Sequence, residues 1–132
     1  MAVTVHREPN QVKWIGVRPG HNGIEILESG NVDNGTDVVY TVPADKLFFW
    51  FGWNAIMISN AYSSACSIGI FNAVPVLVRN IQTFGTGANM ATALSKSYWP
   101  PLEVAEGFSI RFVSTAAGRT LDGSIHGIEI DV

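Results

Sequence analysis

From Leu47 to Val78 the chain runs for 32 residues without a charged side chain. Its first part, Leu47–Asn60, reads Leu-Phe-Phe-Trp-Phe-Gly-Trp-Asn-Ala-Ile-Met-Ile-Ser-Asn, apolar at most positions. Glycine and asparagine interrupt it well short of the roughly 18–20 unbroken apolar residues of a membrane helix. A strand apolar on both faces is either central in a core or covered by another subunit. Trp50 and Trp53 differ in parity, so one of them leaves the core face unless Gly52 marks a bulge.

The remaining sequence shows almost no helical periodicity; Ala88 to Lys96 is the best helix candidate, and it lacks a good apolar face. Short apolar runs punctuated by Gly, Pro, Asn and Asp dominate instead. Val12–Val17, Ile24–Glu28, Thr36–Val42, Leu47–Asn60, Ser67–Phe71, Val76–Ile81, Phe108–Val113 and Leu121–Val132 predict strands. Asn34-Gly35 predicts a turn, Thr83–Asn89 a flexible loop, and Pro100-Pro101 a break. Along Leu121–Val132 the apolar parity switches at His126-Gly127, which predicts a bulge at Gly127. The pattern predicts an all-β fold, an antiparallel two-sheet sandwich of the jelly-roll type. Residues 1–22 form an extended N-terminal arm plus a first strand, and residues 23–132 the sandwich, as a single domain.

Charge is scarce, at 14% of 132 residues against about 25% in an ordinary soluble domain. Arg7, Lys13 and Arg18 face only Glu8 within residues 1–22, a net of +2, which leaves −5 of the overall −3 on the rest. The acidic body argues against a nucleic-acid partner, and no membrane partner is expected. The arm is a candidate to bind an acidic partner through Arg7, Lys13 and Arg18. An uncharged sandwich surface would be a large apolar patch in a monomer. Burying about 400 Å2 of it contributes on the order of 10 kcal/mol before association costs. A homo-oligomer, dimer or trimer, is therefore expected. Phe49, Trp50, Phe51, Trp53 and Met57 are the candidate self-interface.

No constellation predicts catalysis. His6, His21 and His126 are scattered, so no metal site and no cofactor are expected. Asp122, Ser124 and His126 share a strand face, but neighbours on one strand rarely give triad geometry. The single cysteine, Cys66, lies in an apolar run that predicts a buried, inert thiol. Exposed aromatics offer a different chemistry: Tyr62, Tyr98 and Trp99 are the candidates for stacking on a sugar ring.

Three segments carry a resemblance. Val42-Pro43-Ala44-Asp45-Lys46-Leu47-Phe48-Phe49 resembles the Val-Pro-Ala-Gly-Lys-Thr strand opening of many small phage and prophage sandwich proteins, with Asp45 standing where they often carry Gly. Pro101–Ile110 is similar to their Pro-Leu-x-Val-x-x-Gly-x-x-Ile, and Asp122–Glu129 resembles their ending. The resemblance covers roughly residues 40–130. It implies a non-enzymatic virion component, assembled in the host cytoplasm. The first expectation is a capsid decoration, or cement, protein that binds the major capsid protein or another virion protein. The alternative is a receptor- or glycan-binding tail-fibre or lectin-like module.

Overall fold

The computed structural model describes residues 23–132. The expected arm and its strand Val12–Val17, with Arg7, Lys13 and Arg18, lie outside the described residues. Eight strands follow one another: β1 (Ile24–Asp33), β2 (Gly35–Thr41), β3 (Lys46–Ser59), β4 (Ser63–Phe71), β5 (Leu77–Thr86), β6 (Met90–Ala105), β7 (Ser109–Ser114) and β8 (Arg119–Asp131). They form two antiparallel four-stranded sheets, in the orders β1-β8-β3-β6 and β2-β7-β4-β5. Only β4 and β5 are consecutive strands paired within one sheet; every other connection crosses between sheets. That alternation is the double Greek key of a jelly roll, as the spacing of the apolar runs predicts.

The core fills the space between the sheets. Val32, Val39, Phe48, Trp50, Trp53, Met57, Ile68, Phe84, Phe112, Leu121 and Ile125 are among its buried members. Trp53 and Phe84 meet edge to face across it, with ring centroids 5.6 Å apart. Trp50 and Trp53 both point inward because pairing of β3 with β6 and with β8 slips between Trp50 and Gly52, leaving Phe51 as the extra residue. The Trp50 indole N–H donates to the Gly52 carbonyl at 2.8 Å and staples this bulge. On the β6 side the same slip leaves Tyr98, Trp99, Pro100 and Pro101 without β3 partners, and the Trp99–Pro100 peptide is cis.

Several local expectations are corrected. The bulge at the level of His126-Gly127 lies on β3 and not on β8: the β3–β8 pairing slips opposite these two residues at Phe51, while β8 pairs with β1 in continuous register from Glu129 to Thr120. Gly127 instead faces inward, where a Cβ would collide with the Phe49 carbonyl oxygen and come within 2.5 Å of the Phe48 ring. The parity switch arises because two inward positions of β8, Gly127 and Glu129, are not apolar. Ala88–Lys96 belongs to no helix; most of it lies in β6, because the partner strand β3 supplies a hydrogen-bonding ladder that weak local propensity does not resist. Nor does Pro100-Pro101 end that strand, since β6 is an edge strand and the prolines fall where the pairing is skipped. β5 runs on to Thr86, through the start of the expected loop. At Asp45, φ is +62°, the left-handed conformation that glycine takes most easily and Asp tolerates.

Candidate interaction surface

The uncharged stretch is buried mainly in β3 and β4. Of the five residues expected at a self-interface, Trp50, Trp53 and Met57 lie between the sheets with at most 2% exposure. Phe49 faces the other way, between the inward Phe48 and Trp50, and also has no exposed surface; Phe51 is half-buried. The bulge accounts for the three inward residues, because it turns Trp50 before it and Trp53 and Met57 after it toward the opposite sheet. These four buried residues offer a partner no surface in the described subunit.

The longest exposed run of the stretch, residues 73–78, lies at the β4–β5 connection. Val74, Val76, Leu77 and Val78 are between 48% and 76% exposed. Their turn is held from inside by Asn72. Its Oδ1 accepts from the N–H groups of Val74 and Val76 at 3.0 and 2.8 Å, and its own N–H donates to the Val76 carbonyl at 2.9 Å. An asparagine that bonds its own turn in this way fixes the backbone with little entropy left to lose. The apolar tips therefore stand on a pre-formed support. The chain then enters β5, an edge strand of its sheet. Among the described residues no strand pairs with its outer side, and its first two residues are exposed and apolar before Arg79 supplies a charge. An open edge carrying apolar side chains is a template for pairing with another chain.

The three aromatic candidates do not come together. Tyr98 is half-buried and structural: its Oη accepts from the Trp53 indole N–H at 2.9 Å, and its ring meets Trp50 edge to face at 5.8 Å. Burial pushes its phenol pKa up, an effect the indole donor opposes. Trp99 is 76% exposed on the segment of β6 that β3 does not pair. Tyr62 is 86% exposed at the end of the sandwich, beside Gly87 and Met90. Since Met90 opens β6, the nine residues to Trp99 put the two rings roughly 30 Å apart along the strand.

Polar chemistry is dispersed. Asp122, Ser124 and His126 alternate onto the outer face of β8, opposite Ile56, Asn54 and Gly52 of β3. Among the described residues, no group of three or more His, Cys, Asp or Glu side chains is placed to hold a metal ion. Cys66 is buried, and burial raises its thiol pKa. Glu129, three residues from His126 and short of a metal site by sequence, is a buried charged residue. It is 8% exposed, and its Oε2 accepts from the Tyr40 hydroxyl at 2.9 Å. Burial first, then this carboxylate, drive the Tyr40 phenol pKa far above its usual value. The sequence signal for its burial was its parity with Ile125 and Gly127.

No protein-family model matches the chain, and a comparison with curated proteins finds no match. Solved structures similar to it include the following two. A chain of the cyanophage Pam1 capsid asymmetric unit has 12% identity and a TM-score of 0.49, covering 92% of this chain and 96% of that one. A chain of the Bacillus endospore appendages, described as disulfide-linked pili, has 9% identity and a TM-score of 0.34, covering 88% and 96%. At these scores neither likeness supports an inference about this chain.

Proposed function

We propose that this chain is a structural virion protein, a capsid decoration or cement subunit that makes and breaks no bond. It oligomerises and reinforces contacts between capsid proteins. The observation that carries this reading is the rigid apolar turn Val74–Val76 leading into the open β5 edge, uncharged up to Arg79. An apolar turn leading into a strand edge is a surface suited to cover by another protein chain. The jelly-roll order is shared by viral capsid, lectin and cupin domains, so the fold is compatible with the role by analogy. The basic residues Arg7, Lys13 and Arg18 would reach an acidic capsid partner. The experiment is binding to shells of the parent virion stripped of this chain. Reversing Arg7, Lys13 and Arg18 to Glu should abolish binding with the circular dichroism unchanged; binding at wild-type strength would remove the arm from the reading.

The second reading is a receptor- or glycan-binding tail-fibre module, and the exposure of Trp99 and Tyr62 favours it. Sugar stacking on an exposed aromatic is lost on truncation to Ala. Glycan-array binding that disappears in Trp99→Ala or Tyr62→Ala would support this reading, and an array without hits would remove it.

A further inference from the structure

The outer face of the β1-β8-β3-β6 sheet has one half that is apolar. Two rows cross it in register. Ile130, Leu47 and Ala105 form one, and with Val132 they line a cleft of about 390 Å3. Glu25, Ile128, Phe49 and Glu103 form the other, spanning all four strands with a glutamate at each end. No described strand is layered over this face. Yet Phe49, which points into it, has no exposed surface, and Leu47, Phe51, Ile128 and Ile130 are half-buried.

We propose that residues 13–18 of the chain's own N-terminal segment cover this half of the face. Lys13-Trp14-Ile15-Gly16-Val17-Arg18 is apolar in the middle and basic at both ends, the complement of the Glu25–Ile128–Phe49–Glu103 row. The lengths agree. Five extended residue steps from Lys13 to Arg18 span about 16 Å, and three inter-strand spacings from Glu25 to Glu103 span about 14 Å. Connectivity agrees as well. Arg18 is followed by Pro19-Gly20-His21-Asn22-Gly23, a turn-forming sequence, and the chain then enters β1 at Ile24, beside Glu25. Trp14, Ile15 and Val17 supply the apolar cover, and Arg18 lies toward Glu25 with Lys13 toward Glu103. Arg7 and the residues before Lys13 are left to reach a partner. This arrangement takes Lys13 and Arg18 away from the capsid partner assigned to them above and leaves Arg7 for it, and its test requires no virion role.

The test places a photoreactive benzophenone side chain at Ile128 in the full chain, and in a second protein at the exposed Leu27 on the same outer face. After irradiation, the cross-linked product should run at single-chain mass, with the attachment mapped to residues 12–18. Reversing Lys13 and Arg18 to Glu should remove most of that product, since both end contacts turn repulsive. Cross-links joining two chains would overturn the proposal by making a second copy the cover. Absence of any cross-link at both positions would overturn it by leaving the face open.

Discussion

At the scale of single residues, the inward face of β8 carries Gly127 and Glu129 beside Leu121 and Ile125, two positions that are buried without being apolar. Gly127 is there because the Phe48 ring and the Phe49 carbonyl occupy the space a side chain would need. Gly127→Ala should cost about 1–3 kcal/mol by overpacking, read as a lower urea midpoint; an unchanged midpoint would mean that the Phe48 ring moves freely. Glu129 is tolerated because the Tyr40 hydroxyl meets it. Tyr40→Phe leaves the carboxylate without that donor, and a loss of about 1–3 kcal/mol is expected in the same measurement at neutral pH. The two raised phenols also set an alkaline limit. Tyr40 and Tyr98 hold their protons more tightly folded than unfolded, where the pKa is near 10.0. Their contribution is whole below pH 10 and is lost as pH rises through the folded-state values. The urea midpoint should therefore fall above pH 10, and Tyr98→Phe should flatten that fall. A Tyr98→Phe protein with the wild-type pH slope would contradict the assignment.

At the scale of elements, β3 shows how much local pattern reveals. Its length and apolar density were legible, and the conflict between Trp50 and Trp53 pointed to a bulge at Gly52. The bulge residue is Phe51, which lets both tryptophans face the opposite sheet. Deleting Phe51 would shift the register by one and turn Trp53, Ala55 and Met57 outward. The deletion protein should lose its near-ultraviolet aromatic signal and aggregate, while Phe51→Leu should keep both the signal and its native mass. Retention of the signal in the deletion would contradict the bulge's role. β6 was far less legible. Its sequence has weak alternation and two prolines, and it is extended because β3 pairs with both of its halves around a four-residue excursion. Pairing of that kind is a tertiary effect that no window of the sequence contains.

At the scale of the whole molecule, the uncharged stretch does two jobs at different places. Its β3 part and the inward side of β4 build the core, and its last residues form the apolar turn and edge at β4–β5. Sequence density of apolar residues located the stretch but could not divide it, because parity says which residues share a face and not which face meets the other sheet. The same limit separated Tyr98, a core support, from Trp99 next to it. The candidate surface became visible only when Asn72 was seen holding Val74 and Val76 outward beside an unpaired strand edge. If this surface exists to be covered by another protein chain, the native mass of the purified full chain in sedimentation shows it, across a range of concentrations, beside a Val76→Lys, Val78→Lys double variant. The wild type should run as a dimer or trimer and the variant as a monomer of unchanged circular dichroism. A wild type that stays monomeric throughout, or an oligomer that the two lysines leave intact, would contradict it.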